Sequence, residues 1–154
     1  MDLLLAFDEE LLTGDLRQLG AGLETDQGLR TAVVLSLFSD RRAEADDELP
    51  IGETDRRGWW GDSLAEIAGD RIGSRLWLLA RRKILPATLV EARQMVEESL
   101  AWLIEDGIAA RIEVEVTHRP PTTLAIRVGI VQPRGDRVDY SFESLWQGVR
   151  EASV

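Results

Sequence analysis

The fold is decided by two stretches, Thr88-Leu-Val-Glu-Ala-Arg-Gln-Met-Val-Glu-Glu-Ser-Leu-Ala-Trp-Leu-Ile-Glu-Asp-Gly107 and Arg111-Ile-Glu-Val-Glu-Val-Thr-His-Arg-Pro-Pro-Thr-Thr-Leu-Ala-Ile-Arg-Val-Gly-Ile-Val131. In the first stretch, apolar residues recur every three or four positions, which is the period of an amphipathic helix. The spacing of Thr88 and Glu91 predicts a capping box at its start, and Gly107 is suited to the left-handed residue that follows a helix. In the second stretch, apolar and polar residues alternate, which is typical of strands with one buried face.

The sheet continues beyond this second stretch. A third alternating run contains Val138, Tyr140 and Phe142, and Pro-rich turn signals separate the three runs at residues 120–121 and 133–136. We therefore predict an antiparallel β-meander packed by the long helix, with Trp102 largely buried between them. The last apolar residues predict a final short helix over Glu143–Arg150.

The first half of the chain gives weaker signals. From the N-terminus, we predict a hairpin of strands Leu3–Phe7 and Leu16–Leu19, a helix over Gln27–Phe38 capped by Thr25 or Asp26, a long loop over 39–62, and a short helix over Arg75–Arg82. Runs of helix followed by runs of strand indicate the α+β class. The length of 154 residues favours a single domain, 1–154.

Composition narrows the possible functions. There are 28 acidic against 18 basic residues and a net charge of -10, which makes nucleic acids and anionic membranes poor partners. The absence of cysteine excludes disulfides and thiolate chemistry. The apolar run Thr31–Phe38 is far shorter than the roughly 18 residues that cross a bilayer. The sequence Met-Asp-Leu-Leu-Leu at the N-terminus lacks the basic region of a signal peptide. We expect synthesis in a cytoplasm and retention there or in an assembly built there.

Catalytic and metal-binding patterns are weak. His118 has no Ser or Cys motif beside it, so we interpret it as a half-exposed residue at a strand end. The acidic run Glu44, Asp46, Asp47 and Glu48 lacks the spacing of a calcium loop, which favours a solvated loop over a cation site. Among 28 acidic residues, the sequence nominates no pair of glycosidase carboxylates. We predict no catalytic residue, no metal ligand and no cofactor.

Tryptophan and arginine residues are better candidates for a functional surface than the catalytic and metal-binding patterns. Trp59 and Trp60 lie between two glycines and follow Arg56 and Arg57. Large aromatic residues usually bury, so one interpretation folds both tryptophans onto the core. The other makes them interface anchors, because Trp and Arg dominate binding hot spots. The same choice, between an ion-paired exposed face and a docking stripe, applies to Arg71, Arg75, Arg81 and Arg82.

Several of these stretches resemble a known family. They are Thr31-Ala-Val-Val-Leu-Ser-Leu-Phe-Ser-Asp-Arg-Arg-Ala43, Leu49-Pro50, Asp55-Arg-Arg-Gly-Trp-Trp-Gly-Asp62 and Gly69-Asp-Arg-Ile-Gly-Ser-Arg-Leu-Trp77. From about Leu23 to Val131 the chain is similar to the baseplate proteins of Mu-like phages and prophages, counterparts of the wedge protein that initiates the tail sheath. Many sheath initiators carry Glu-Pro-Arg where the long helix meets the meander, whereas this chain has Ala109-Ala110-Arg111 and so retains only the arginine.

The resemblance implies a non-enzymatic structural protein of a contractile-tail baseplate, located in the virion, that docks wedge proteins and nucleates the sheath. Its implied partners are baseplate wedge and hub proteins and tail sheath subunits. A rival hypothesis is a peptidoglycan-cleaving, lysozyme-like glycosidase, because some relatives are described with that activity. The sequence assigns the partner interface to these candidates: Arg56, Arg57, Trp59, Trp60, Arg71, Arg75, Asp139 and Tyr140.

Sheet edges offer a further contact. A short meander leaves two edges with unpaired backbone groups, which can accept a strand from another chain. We predict that Arg137–Phe142 or Leu3–Phe7 pairs with an extended arm of a partner subunit. The same edge could support weak self-association of the isolated protein.

Overall fold

The computed structural model describes residues 28–145 except 67, 68 and 81, together with the backbone of short strands before residue 28. In chain order the elements are β1 (Asp2–Leu3), β2 (Leu5–Asp8), β3 (Thr13–Leu16), β4 (Gln18–Leu19), β5 (Gly22–Leu23), β6 (Thr25–Asp26), α1 (Leu29–Phe38), two 3-10 turns (Trp60–Leu64 and Leu76–Leu79), α2 (Pro86–Glu105), β7 (Arg111–Arg119), β8 (Thr123–Val131) and β9 (Arg137–Leu145).

The sheet is the predicted antiparallel meander, in the order β7-β8-β9. Val114 lies opposite Val128, and Val128 lies opposite Tyr140, so the apolar residues of all three strands share one face. This face packs on α2, whose stripe of fully buried residues has the expected helical spacing: Ala92, Val96, Leu100 and Leu103. The prediction of an α+β fold with a helix-covered meander is confirmed.

Helix α1 completes the core beside α2. Its buried residues Val33, Val34 and Leu37 join the apolar cluster between α2 and the sheet. The Phe38 ring meets Phe142 of β9 edge to face, with ring centroids 5.6 Å apart. The two helices thus form one layer over the apolar face of the sheet.

Trp102 lies at the contact between the two helices. It is half-buried and packs against the main apolar cluster. Its indole N–H donates to the Ser36 hydroxyl of α1 over 3.0 Å. The prediction placed Trp102 largely buried by the meander; the side chain packs on the core with some exposure, and its indole N–H donates to α1 and not to the sheet.

The start of α2 differs from the prediction. The helix begins at Pro86, which suits a first helical turn because proline lacks the N–H that this turn leaves unpaired. Thr88 therefore lies inside the helix, and its hydroxyl donates to the Lys83 carbonyl over 2.9 Å. Glu91 pairs with Arg82 at 2.5 Å, so the capping-box prediction was wrong. The end of the helix is as predicted, with Gly107 at a φ of 71°.

Three further boundaries are corrected. Helix α1 begins at Leu29 with Gly28 as its N-cap and no side-chain cap, rather than with Thr25 or Asp26. The short helix predicted over Arg75–Arg82 is a single 3-10 turn. Residues 143–145 of the predicted final helix belong to β9, whose pairing with β8 continues to Leu145; the rest of that helix lies outside the described residues.

The N-terminal backbone forms the predicted hairpin with shifted bounds. Strand β2 pairs antiparallel with β3, so the second strand begins at Thr13 rather than Leu16. Two shorter pairings follow, β4 with β5 and β1 with β6. The last of these brings the chain back to its start just before α1.

Candidate partner interface

The segment predicted as a long loop is an ordered layer beside α2. We call residues 39–79 the loop platform. Its central strand-like segment, 39–43, has backbone partners on both sides. The Ser74 N–H donates to Ser39 and the Arg41 N–H donates to Ser74, over 2.9 and 3.0 Å, while the Ala43 N–H donates to Arg56 over 2.9 Å.

Two glycines allow this close backbone approach. A Cβ at Gly73 would lie 2.4 Å from the Ser39 carbonyl oxygen, and Gly73 has a φ of 97°. A Cβ at Gly58 would lie 2.8 Å from the Arg42 Cβ. Contacts under 3.0 Å force a shift, so the two glycines are required for the layer to close on its central segment. Both belong to the sequence motifs that carry the family resemblance.

Arg57 and Trp77 connect separate parts of the loop platform through side-chain contacts. Trp77 is buried, and its indole N–H donates to the Arg41 carbonyl over 2.7 Å. The Arg57 guanidinium lies over the Trp77 ring, 4.5 Å from its centroid. It also donates to Asp40 over 2.9 Å and to Glu53 over 3.3 Å. One arginine thus joins an aromatic face to two carboxylates from different parts of the loop.

Arg75 ties the platform to α2. Its guanidinium donates to Asp47 over 2.7 Å and to Glu98 of α2 over 2.9 Å. Partial burial alone would raise the pKa of Asp47, but hydrogen bonds from Arg75 and the Glu44 amide, and the charges of Arg75 and Arg56, hold that pKa below its ordinary value. This triad is the platform's main polar contact with the helical layer.

The predicted solvated loop contains four acidic residues, of which two are ion-paired. Glu44 pairs with Arg71 over 2.8 Å and its side chain is still 46% exposed, and Arg56 donates to the carbonyls of Glu44 and Ala45. Asp46 and Glu48 are exposed, as the interpretation as a solvated loop predicts, whereas Asp47 is largely buried in its ion pair with Arg75. Across the described residues, no group of three or more acids or histidines is placed to hold a metal ion.

Four candidate arginines therefore have internal partners. Arg56, Arg57, Arg71 and Arg75 each hold a carboxylate, a carbonyl or an aromatic ring of this chain. Their role at a partner interface stays a prediction. Arg82, from the alternative docking stripe, pairs with Glu91, and Arg81 lies outside the described residues.

Trp59 and Trp60 stand out from this fixed layer. Their side chains are 48% and 74% exposed, and their ring centroids lie 5.5 Å apart. Trp59 lies over Gly61, where an added Cβ would come within 2.2 Å of the indole ring. The interpretation that both tryptophans fold onto the core was wrong. Leu64, in the same 3-10 turn as Trp60, is 72% exposed and extends the apolar surface.

The two sheet candidates lie on opposite faces of β9. Tyr140 is half-buried and packs against the apolar core, with its ring stacked on Phe142 at 6.3 Å. Asp139 lies on the polar outer face, where Arg137 contacts it over 2.9 Å and reaches across Gly129 to Glu113 over 2.7 Å. Of the described strands, only β8 pairs with β9, so within the described structure the outer edge of β9 has no partner strand.

A shallow groove of about 360 Å³ lies on this outer face. Its carboxylates include Glu113 and Asp139, and hydrogen bonds from Arg137 hold the pKa of each below its ordinary range. A glycosidase needs one carboxyl group with a raised pKa to act as the general acid, and these two are shifted the opposite way. His118 is exposed, with its Nε2 atom 3.4 Å from the Pro121 carbonyl.

Sequence reasoning missed the partners that fix the platform. Asp40 and Glu53 pair with Arg57, and Glu98 pairs with Arg75. The hydrogen bond from the Ser74 N–H to the Ser39 carbonyl joins positions 35 residues apart. Gly58 and Gly73 were the available signal, because a glycine in an extended segment often marks a place where another part of the backbone approaches closely.

Fold and surface together define a class: a small α+β protein that holds a tryptophan pair outward on an ion-paired loop layer. A family model described as Phage protein GP46 matches residues 29–137. The chain is 43% identical over 136 residues to the baseplate protein gp46 of Escherichia phage Mu, covering 88% of this chain and 92% of that protein. It is 34% identical over 133 residues to the Mu-like prophage FluMu protein gp46 of Haemophilus influenzae, covering 86% and 90%.

The chain belongs to the GP46 family of Mu-like phage baseplate proteins. The resemblance found in its sequence is confirmed, and so is the tail baseplate location that the resemblance implied. Among the helices that the structure describes, none combines the length and the apolar character needed to span a bilayer.

Proposed function

We propose that this chain is a non-enzymatic structural component of the contractile-tail baseplate that docks wedge proteins and nucleates sheath assembly. The observation that carries the proposal is the exposed Trp59–Trp60 pair on a loop platform fixed by internal ion pairs. Membership of a baseplate family supports the same role.

A fixed aromatic pair is well suited to docking. Tryptophan supplies a large apolar contact area and is enriched among the residues that dominate interface energies. Ordering a loop on binding costs conformational entropy, and a loop already held in place avoids most of that cost. Arg57 and Arg75 provide this fixation, so we assign them a supporting role beneath the surface that Trp59 and Trp60 present.

The open edge of β9 supports a second contact. Its outward backbone groups can pair with an extended arm of a sheath subunit or of a second copy of this chain. Asp139 lies on this strand and discourages pairing only weakly, because Arg137 already neutralises its charge. We therefore propose the tryptophan pair as the wedge-docking surface and the Arg137–Phe142 edge as the sheath-docking surface.

The tryptophan surface is tested by capture of baseplate proteins from a lysate of the phage that encodes the chain. We expect Trp59→Ala/Trp60→Ala to keep the fold and to lose capture of a wedge protein identified by mass spectrometry. The matched control is Leu85→Ala/Val90→Ala, which removes two residues that are 55% and 57% exposed at the start of α2. Equal capture by the wild type and the tryptophan variant would refute this assignment.

The sheet edge is tested with two neighbouring proline variants, Val138→Pro and Asp139→Pro. Amide directions alternate along a strand, so one of these positions donates to β8 and the other faces outward. Thermal unfolding identifies the outward position, because proline there removes no existing hydrogen bond. We expect that variant to fold and to lose recruitment of sheath subunits; normal recruitment by it would exclude this edge as the docking site.

We also propose that the protein does not cleave peptidoglycan. The lowered pKa values of Glu113 and Asp139 in the outer groove support this, since neither carboxyl group suits a general acid. Purified protein should release no reducing sugar from peptidoglycan. Turnover that disappears on a single Asp or Glu substitution would overturn the proposal.

A further inference from the structure

The cations of the loop platform are all engaged within the chain. Six arginines lie in this layer, and each has a partner within the chain. Four of them pair with carboxylates: Arg41 with Glu98, Arg57 with Asp40 and Glu53, Arg71 with Glu44, and Arg75 with Asp47 and Glu98. Arg42 and Arg56 donate to backbone carbonyls, and no carboxylate of the described structure pairs with them.

Only some of the acidic residues in the loop platform form ion pairs. Four of them pair with these arginines, and within the described structure no cation pairs with the other six: Asp46, Glu48, Asp55, Asp62, Glu66 and Asp70. At neutral pH the uncompensated charge that the platform presents to solvent is therefore negative. A partner of opposite charge is favoured at this surface.

Several of these acids border the tryptophan pair. Asp62 lies in the 3-10 turn that begins at Trp60, and its Oδ1 accepts the Ile72 N–H over 3.2 Å, so the chain just after Asp70 returns to this turn. Glu66, two residues after the end of the turn, and Asp70 are exposed. The Asp62 Oδ2 atom is buried and has no hydrogen-bond partner among the described residues. Along the chain, the exposed indoles are thus followed by acidic residues with which no cation of the described structure pairs.

Elsewhere in the platform, an arginine of this chain already contacts both a tryptophan ring and carboxylates. Arg57 lies 4.5 Å from the centre of the Trp77 ring and donates to two carboxylates, Asp40 and Glu53. A guanidinium suits such a place because its plane stacks on an aromatic face while its N–H groups reach carboxylates at the rim. Trp59 and Trp60 offer exposed aromatic faces, and the segment that follows them carries the exposed acids Glu66 and Asp70 as the acidic border.

We infer that the Trp59–Trp60 pair and its acidic border bind an arginine-bearing basic segment of the wedge protein. The inserted guanidinium stacks on an indole face and pairs with the bordering carboxylates, as Arg57 does with Trp77. This inference rests on the proposed docking role of the tryptophan pair and adds the chemistry of the partner.

The test uses a tetra-arginine amide peptide as the probe and the full-length protein. Binding is followed by the indole N–H signals in ¹⁵N NMR, assigned by single Trp→Phe variants. We expect saturable shifts of Trp59 and Trp60, and about tenfold weaker binding by Trp59→Ala/Trp60→Ala. Tetra-glutamate amide should cause no shift.

Charge variants separate this site from general attraction to an acidic protein. Glu66→Gln/Asp70→Asn removes two charges beside the tryptophan pair. Glu105→Gln/Asp106→Asn removes two exposed charges at the end of α2, so the change in net charge is the same. We expect the first pair to weaken tetra-arginine binding several-fold more than the second; equal weakening by both pairs would overturn the inference.

A competition experiment separates the inference from the docking proposal. If the wild type captures a wedge protein and tetra-arginine displaces it, both stand. If capture depends on Trp59 and Trp60 but tetra-arginine neither shifts the indoles nor competes, the arginine chemistry is refuted and the docking surface stands. If the tryptophan variant captures the wedge protein normally, the docking proposal itself fails, and the inference fails with it.

Discussion

Replacing Arg75 by methionine tests whether the loop platform is fixed by its ion pairs. Arg75→Met keeps most of the side-chain volume and removes the guanidinium that bridges Asp47 and Glu98. The Arg75 and Asp47 side chains are 22% and 17% exposed, and that of Glu98 is 36% exposed. At the junction between the platform and α2, the variant leaves Asp47 without its ion-pair partner and leaves Glu98 with only the longer contact to Arg41, at 3.7 Å.

The expected loss of free energy of unfolding follows from this partial burial. Breaking a fully buried ion pair costs about 3–5 kcal/mol, whereas a solvent-exposed pair contributes about 0–1 kcal/mol. The triad lies between these limits, so we expect the free energy of unfolding to fall by about 2 kcal/mol. For a chain of this length, that loss corresponds to a decrease in Tm of roughly 4–8 °C.

The loss should depend on pH. Because the pKa of Asp47 in the folded protein is below its ordinary value of 3.8, the ionised carboxylate stabilises the fold above that pH. This stabilisation disappears as the pH falls through the folded pKa. The difference in free energy of unfolding between the wild type and Arg75→Met should be largest at pH 7 and should decrease below about pH 3.8.

Urea unfolding at pH 7 and at a series of acidic pH values measures both effects. The matched control is Arg71→Met, because Arg71 and Glu44 are 34% and 46% exposed and their pair should contribute under about 1 kcal/mol. The reasoning is refuted if Arg75→Met costs no more than Arg71→Met, or if the difference does not change with pH.

Two further predictions concern packing. Trp102→Ala should lower the free energy of unfolding by about 3 kcal/mol, the lower end for a core tryptophan, because the side chain keeps some exposure. Trp102→Phe should lower the free energy of unfolding by only about 1 kcal/mol, the contribution of the indole hydrogen bond to Ser36. Urea unfolding measures both variants. If Trp102→Ala loses less than about 1 kcal/mol, the indole lies on the surface and the packing described here is wrong. Gly73→Ala should reduce the Tm far more than Gly52→Ala, since both glycines have a positive φ but only Gly73 has backbone atoms within 3.0 Å of the new Cβ. Equal Tm values for the two alanine variants would contradict the close packing of the platform.

The sequence predicts the second half of the fold well because its periods are strong and local. The apolar stripe of α2 recurs over about four turns. Each strand of the meander alternates over most of its length, so the buried face is specified residue by residue. The start of α2 was misplaced because two signals compete there. Thr88 resembles a cap, but Pro86 is compatible with a first helical turn, and tertiary packing turns the Thr88 hydroxyl to the Lys83 carbonyl.

The loop platform could not be predicted in the same way. Its order comes from pairs far apart in sequence, such as Arg75 with Asp47 and Ser39 with Ser74, and hydrophobic periodicity carries no information about such pairs. The exposure of Trp59 and Trp60 could not be predicted either. Tryptophan generally favours burial, and no local pattern indicates that Trp59 lies over Gly61 with both indoles outside the core.

We propose that this chain docks a wedge protein through Trp59 and Trp60 and thereby supports the sheath. Electron microscopy of particles from the phage that encodes the chain, carrying Trp59→Ala/Trp60→Ala, tests this most directly. Circular dichroism and the Tm of the purified variant establish that it is folded. The account predicts tail tubes that lack a sheath or a complete baseplate; sheathed, contractile tails in wild-type numbers would contradict it.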